Sequence, residues 1–235
     1  MDKKSRLAMI LLGIVFPIIA LITVSEGVIF DRNFFVDELS KNNVSVSTAL
    51  SSEELDKVTD QIFAFLKGQR EDFNLYIEKG NDLHMPLFTQ DEVTHMEDVR
   101  GLLKNAVIIQ AIGILIFVIC FIGLFIKNKR SLAMGMGVGS IIGIITLAIL
   151  GGLFMFDFTT AFVALHRVIF TNEFWYLDPA KSVLINLVPE PYFIDLALRI
   201  GFYAVVVFLI TLLISSIGLR KTRCKEFMKN KKRKF

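Results

Sequence analysis

The sequence is poor in the residues that build disulfide or zinc frameworks. Only two cysteines, Cys120 and Cys224, occur among 235 residues, and they form no CxxC pair. Cys120 lies inside an apolar run and Cys224 lies in a basic tail. This pattern excludes a small disulfide-stapled secreted domain and a cysteine-based zinc module.

The common signatures of nucleotide binding and serine hydrolysis are also missing. The chain has no Walker loop, no GxGxxG, no GxSxG and no HExxH, and the segment His95-Met-Glu-Asp98 is not a recognised zinc-ligand spacing. We therefore expect no cofactor and no metal site. Any catalysis would depend on the three histidines, because histidine is the side chain best suited to proton transfer near neutral pH.

Apolar residues are abundant instead. They make up 54% of the chain, and the mean hydropathy is +0.58, which excludes intrinsic disorder. Runs without any charged residue cover 7–25, 105–126, 131–156 and 200–219. Each is long enough to cross a hydrocarbon core of about 30 Å as a helix. The first run could be a signal peptide, but it is too long and lacks an A-x-A site, so we interpret it as an uncleaved span that Pro17 kinks.

These runs predict an all-α membrane protein with four transmembrane helices and an extracellular cap of helices, in which short strands can also occur. The seven segments that we expect are transmembrane helix 1 (1–30), an extracellular acidic segment (31–101), transmembrane helix 2 (102–126), transmembrane helix 3 (131–156), an extracellular or interfacial segment (157–196), transmembrane helix 4 (197–219) and a basic cytoplasmic tail (220–235).

The distribution of Lys and Arg predicts the orientation. Basic residues cluster before the first span, in the turn at 127–130 and in the tail from Arg220, which holds nine of them against the single acid Glu226. The positive-inside rule makes these segments cytoplasmic, so both termini are inside the cell membrane. A basic tail can bind nucleic acid, but beside a span it favours the anionic cytoplasmic leaflet, so we expect a lipid partner and no nucleic acid.

Local patterns give a coarse view of the two outer segments. Alternation at 43–47 predicts a strand, and residues 81–86 are typical of a loop. Capping boxes at Ser51–Glu54 and Thr89–Glu92 predict two helix starts. The apolar stretch 158–170 predicts a helix in the membrane interface.

The third span contains Gly135, Gly139 and Gly143 at four-residue spacing, which form a face of small residues. Such a face lets another helix approach closely, either from the same chain or from another copy, so the oligomeric state stays open.

The topology brings two of the histidines together. His95 precedes span two and His166 follows span three, and these spans form a tight hairpin whose outer ends are neighbours. Asp91 and Asp98 share the helical face of His95. The alternative for each histidine is a hydrogen-bonded interfacial residue without a catalytic role. The third histidine, His84, lies in the predicted loop and is a weaker candidate.

Two blocks of the sequence resemble a known family. The first is Thr89-Gln-Asp-Glu92 followed by His95-Met-Glu-Asp-Val99. The second runs from Phe162-Val-Ala-Leu-His166 through Phe170-Thr-Asn172, Phe174-Trp175 and Asp178-Pro179 to Leu184-Ile185 and Pro189-Glu-Pro-Tyr-Phe193. With the four spans, they resemble the lipoprotein intramolecular transacylase (Lit) family of Gram-positive bacteria. Asn172-Glu-Phe-Trp175 departs conservatively from an expected acidic residue plus Leu before the Trp.

The resemblance implies a reaction and a set of site residues. The substrate partner would be a diacylglyceryl-modified membrane lipoprotein, whose sn-2 acyl chain moves to the α-amine of its N-terminal cysteine. The implied catalytic residues are His95 and His166, at the extracellular face of the membrane. Residues implied to orient them, bind substrate or stabilise an oxyanion are Asp98, Arg167, Asn172 and Trp175.

Other classes of function remain open at this stage. A non-enzymatic scaffold or lipoprotein-assembly factor would use the acidic outer segment to bind a partner. An acyl hydrolase or an intermolecular acyltransferase is the nearest chemical competitor. A transporter is disfavoured, because no acidic residue lies in the core of a span.

Overall fold

The computed structural model describes residues 2–79 and 82–232, and helices dominate it. In chain order the elements are α1 (Lys3–Ile29), α2 (Arg32–Lys41), α3 (Val44–Thr48), α4 (Ser52–Leu66), β1 (Tyr76–Lys79), β2 (Asp82–Pro86), α5 (Gln90–Lys127), α6 (Lys129–Phe156), α7 (Phe158–Ile169), α8 (Val183–Leu187) and α9 (Glu190–Lys232).

Four of these helices are long and apolar enough to cross a membrane. They are α1, α5, α6 and the part of α9 from Glu190 to Cys224. The expected all-α architecture with four spans is therefore confirmed. Pro17 lies inside α1, which continues past it to Ile29. The helix α5 begins well before its apolar run, because no breaker stronger than Gly101 separates the two.

The Cα positions divide the chain into two compact units. The first, called here the apolar unit, contains the residues up to Ser25, Val107–Gly152 and the residues from Ile200 onward. The second, called here the mixed unit, contains Glu26–Ala106 and Leu153–Arg199.

Two clusters of side chains pack the apolar unit. Leu12 and Leu124 pack around the buried Cys120, and Phe16 packs against Phe208, with ring centroids 5.9 Å apart. Burial of the Cys120 thiol among apolar groups is typical of an unreactive structural cysteine.

The glycine face of α6 is filled from within the chain. A Cβ atom added at Gly139 would lie 2.9 Å from the carbonyl oxygen of Gly13, so α1 approaches α6 closely there. A Cβ added at Gly143 would overlap the ring of Phe208. Of the two alternatives for this face, the structure therefore shows the neighbour in the same chain.

The mixed unit is built around short capped helices. Asp31 caps α2 by accepting from the backbone N–H of Phe34, and Ser51 and Glu54 form the predicted reciprocal capping box of α4. The apolar face of α4 includes the buried Val58, Ile62 and Phe63.

Two local predictions are wrong. In the segment 43–47, residues from Val44 onward belong to the helix α3 and not to a strand: Val44 is buried, Val46 is 82% exposed, and the one sheet among the described residues pairs β1 with β2. The hydroxyl of Thr48 donates to the carbonyl oxygen of Val44, as helical spacing allows. Of the predicted loop at 81–86, residues 82–86 form β2, because Tyr76 and Ile77 of β1 pair antiparallel with its far end; position 81 lies outside the described residues.

Candidate active site

Two imidazole rings meet within the mixed unit. His95 lies in the second turn of α5 and His166 in the last turns of α7, and their ring centroids are 6.1 Å apart with an interplanar angle of 39°. The structure thus brings together the two histidines that the hairpin topology suggested. His84 lies in β2, and its side chain is outside the described part of the chain.

The orientation of His166 is fixed by a backbone bond. Its Nδ1 lies 2.8 Å from the carbonyl oxygen of Phe162, one turn earlier on α7. Because a carbonyl oxygen only accepts, Nδ1 carries the proton, and in the neutral ring Nε2 keeps the lone pair. The ring is enclosed by Phe162, Phe170 and Trp175, at centroid distances of 4.1, 5.6 and 5.1 Å. Burial in this aromatic setting lowers the pKa of His166.

His95 is more deeply buried and has an unused nitrogen. Its Nδ1 is buried and has no hydrogen-bond partner among the described residues. Burial lowers the pKa of His95 to about 4; nearby His166 contributes in the same direction and the Asp98 carboxylate opposes it. The residue lies ten positions before the charge-free run that starts at 105, outside the membrane-spanning part of α5. Both rings are therefore neutral at neutral pH. The pair combines the Nε2 lone pair of His166 with the unpartnered Nδ1 of His95.

Asp98 and Asn172 connect α5 to the loop after α7. The amide Nδ2 of Asn172 donates to Oδ2 of Asp98 across 2.8 Å. The backbone oxygen of Asn172 accepts from the indole N–H of Trp175 across 2.9 Å. The donor groups of Asn172 and Trp175 are thus engaged within the protein in this structure. Asp98 does not bond Nδ1 of His95, and its influence on that ring is electrostatic.

Arg167 is set apart from these contacts. Its side chain is exposed and makes no hydrogen bond or ion pair with a described residue. It neighbours His166 in the sequence.

The sequence did not suggest the role of Glu92. It was recognised as half of a capping box with Thr89, which the structure contains. Its other carboxylate oxygen, however, accepts from Ser182 and Leu184, about ninety residues later. No spacing rule relates those positions, so no signal in the sequence could have found this contact.

The described residues contain no group of three His, Cys, Asp or Glu side chains placed to hold a metal ion. Besides the carbonyl oxygen of Phe162 at His166, the Asp98 carboxylate acts electrostatically on His95 and accepts from Asn172. Proton transfer and hydrogen bonding are the chemistry that these side chains can supply.

Comparisons with known proteins bear on this site. A family model described as "Lipoprotein intramolecular transacylase Lit" matches residues 10–193. A solved structure of the membrane-integral lipoprotein intramolecular transacylase Lit from Bacillus cereus is 21% identical, with a TM-score of 0.80, covering 95% of this chain and 100% of that one.

Two further structures of the Bacillus cereus protein carry one histidine replaced by arginine or by alanine. Both are 20% identical with a TM-score of 0.75, cover 94% of this chain, and are themselves covered to 95% and 96%. At this identity the likeness shows the fold. The search of curated proteins finds no match.

Proposed function

The chain belongs to the lipoprotein intramolecular transacylase (Lit) family, and from that premise we propose that it moves the sn-2 acyl chain of a diacylglyceryl lipoprotein to the α-amine of its N-terminal cysteine. The family resemblance seen in the sequence is confirmed, and the protein is an acyltransferase embedded in a membrane by several helices. The proposal concerns three finer points: which groups of the substrate react, which residues catalyse the reaction, and on which side of the membrane it takes place.

One observation supports the proposal above the others. Two imidazoles with lowered pKa values have ring centroids 6.1 Å apart; the Nδ1 proton of His166 is bonded to Phe162, which leaves the lone pair on Nε2, and Nδ1 of His95 has no partner among the described residues. An amine that attacks an ester needs a base for its proton and an acid for the departing alkoxide. Because both reacting groups belong to one substrate, the enzyme mainly supplies orientation, and no acyl carrier is needed.

We assign His166 as the base. Its Nε2 lone pair takes a proton from the attacking α-amine while the amine nitrogen forms a bond to the ester carbonyl carbon. The tetrahedral intermediate then breaks its bond to the glycerol sn-2 oxygen, which receives the same proton from the imidazolium. The products are an N-terminal amide and a free glycerol hydroxyl, so atoms and charge balance.

His95 would act on the carbonyl oxygen of the ester. With its proton on the unpartnered Nδ1, it donates a hydrogen bond to this oxygen as negative charge develops there. A neutral ring still carries a proton on one nitrogen, so His95 can donate a hydrogen bond at neutral pH although its pKa is lowered. Asp98 and Asn172 would orient the surrounding loop, and Arg167 would contact a polar or anionic part of the substrate.

The apolar surface of α7 supports a route for the acyl chains. Leu165 and Val168 on this helix are 43% and 85% exposed, and no residue of α7 is buried. An amphipathic helix of this kind lies in the membrane interface, where its apolar side contacts acyl chains. We infer that the substrate enters laterally from the outer leaflet beside α7, and that both chain termini lie in the cytoplasm.

Mass spectrometry of a defined lipoprotein tests the reaction. The diacyl lipoprotein is co-expressed with this protein in a host that lacks other N-acylation, and its N-terminal tryptic lipopeptide is analysed. An unchanged mass with one acyl group now in amide linkage supports the proposal. Loss of one acyl mass indicates a hydrolase, gain of one an intermolecular transferase, and an unaltered peptide a non-enzymatic role; each of these three overturns it.

A further inference from the structure

The Glu92 carboxylate is fully buried and faces four hydrogen-bond donors. Its Oε2 accepts from the backbone N–H and the hydroxyl of Thr89, at 2.6 and 2.8 Å. Its Oε1 accepts from the hydroxyl of Ser182 at 2.6 Å and the backbone N–H of Leu184 at 2.7 Å. One side chain thereby fastens the residues at the start of α8 to the first turn of α5.

Each of the two carboxylate oxygens of Glu92 must accept hydrogen bonds from two donors in this arrangement. Ser182 accepts from the backbone N–H of Ile185 at 3.2 Å, so its hydroxyl proton is directed to Glu92. Leu184 and Leu187, which are 4% and 0% exposed, exclude water from the same region. A glutamine at position 92 would place an NH2 group against one pair of donors, and no water could replace the lost bond.

Glu92 joins α5, which carries His95, to the start of α8. On α5 it precedes His95 by three residues, which is one helical turn. On the other side, α8 leads into α9, where the ring of Phe193 lies 5.1 Å from that of Phe162. The carbonyl oxygen of Phe162 holds Nδ1 of His166. A shift of α8 relative to α5 would therefore change the spacing of the two imidazoles.

We infer that Glu92 is a positioning residue of the transacylase: it sets the distance between His95 and His166 by clamping the α8 segment to α5. The inference rests on the proposed roles of the two histidines. Misplacing reacting groups by about 1 Å costs roughly 100-fold in rate. A positioning residue of this kind should affect kcat far more than KM, because it does not contact the substrate.

The test measures kcat and KM for a synthetic diacyl lipopeptide with purified protein in detergent, together with the unfolding temperature. Glu92→Gln should lower kcat by roughly 100-fold and leave KM within about twofold, as loss of alignment predicts. Ser182→Ala removes one donor to Oε1 and keeps the Thr89 bonds of the α5 cap, so its loss should be smaller. The double variant should be no slower than Glu92→Gln alone, because both changes release the same clamp.

A matched control is available on another helix. Glu54 also closes a capping box, at the start of α4, so Glu54→Gln makes the same substitution in the same motif, far from the histidines in sequence. It should keep the wild-type kcat. An equal loss of kcat in Glu54→Gln, or a wild-type kcat in folded Glu92→Gln, would overturn the inference. If Glu92→Gln does not fold, a wild-type kcat in folded Ser182→Ala overturns it instead.

The same assay separates this inference from the proposed function. Activity that survives in His95→Ala and His166→Ala removes the histidine mechanism, and the clamp inference with it. Loss of activity in both histidine variants, with full activity in Glu92→Gln and Ser182→Ala, leaves the mechanism standing and overturns the clamp alone.

Discussion

The Nδ1 proton of His166 is donated to the carbonyl oxygen of Phe162 across 2.8 Å, within a single turn of α7. This bond decides which nitrogen of the ring keeps a lone pair, and it does so with backbone atoms alone. The preceding turn of the helix therefore holds the tautomer, a role for which a carboxylate is often used.

Replacing His95 or His166 by glutamine should have different effects on acyl transfer. His166→Ala and His95→Ala should each abolish acyl transfer, while His95→Gln should retain measurable activity, because an amide N–H can still donate to the developing oxyanion. His166→Gln should be as inactive as the alanine variant, since an amide is no base. Lipopeptide mass spectrometry measures all four, with unfolding temperatures to verify folding. Full activity in either of the two alanine variants would remove that residue from the mechanism.

The protonation of His95 should make the folded protein sensitive to acid. Its pKa is lowered to about 4, whereas an unfolded chain would have the ordinary value near 6.5. Between these values the unfolded state binds more protons, so stability falls as pH decreases from about 6.5 to 4. Thermal unfolding across this range should show a smaller decrease in His95→Gln, and ring 15N shifts should place the His95 titration well below 6. An identical pH dependence in the variant would contradict the expectation.

Swapping Asp98 and Asn172 should preserve the hydrogen bond between them, whereas replacing Asn172 alone by Asp should break it. Asn172→Asp places a second carboxylate where Nδ2 now lies 2.8 Å from Oδ2 of Asp98, so the loop should separate from α5 and activity should fall. The combined Asp98→Asn and Asn172→Asp variant restores one donor and one carboxylate and should recover part of the loss. The test compares kcat of the Asn172→Asp variant with kcat of the double variant. If kcat does not recover in the double variant, the Asp98–Asn172 bond does not align the catalytic residues.

Because α1 packs closely against α6, replacing Gly139 of α6 by alanine should destabilise the protein far more than replacing Gly151 of the same helix. A Cβ at Gly139 would meet the carbonyl oxygen of Gly13 at 2.9 Å, and Gly139→Ala should destabilise the protein by about 1–3 kcal/mol. Gly151 has open space around its Cβ position, so Gly151→Ala is the matched control and should not destabilise. Thermal unfolding in detergent compares the two, and equal effects would contradict the close approach.

The native cysteines can report the orientation in the membrane. Cys224 is exposed and follows the charge-free run 200–219 of the fourth span, so a membrane-impermeant maleimide should label it in permeabilised cells but not in intact ones. The buried Cys120 should stay unlabelled in both. A Val46→Cys variant provides the outer control, since Val46 is 82% exposed and lies in the segment predicted to be extracellular. Labelling of Cys224 in intact cells would reverse the proposed topology.

Most of the correct predictions about the fold and the site followed from membrane topology. The charge-free runs predicted the four spans, and the short link between α5 and α6 predicted that His95 and His166 are neighbours. Topology fixes the depth of a residue along a helix and leaves the rotation of the helix open. The facing of the rings is set by Phe162, Phe170 and Trp175, whose arrangement around the site depends on tertiary packing.

The wrong prediction at 43–47 has a local cause. The alternation around Val44 and Val46 mimics a strand, but Val44 is buried, Val46 is exposed, and α3 packs against α2 and α8. The roles of Asn172 and Trp175 toward a substrate stay a prediction. In the structure their side chains donate to Asp98 and to a backbone oxygen, and residue patterns do not reveal such contacts.

Trp175 has a consequence beyond its packing role. It is the only tryptophan in the sequence, and its ring centroid lies 5.1 Å from that of His166. The ultraviolet fluorescence of the unlabelled protein is therefore dominated by one indole beside the imidazole assigned as the base. Its emission wavelength and intensity respond to charge and polarity within a few ångströms, so the chain carries its own optical probe of substrate entry.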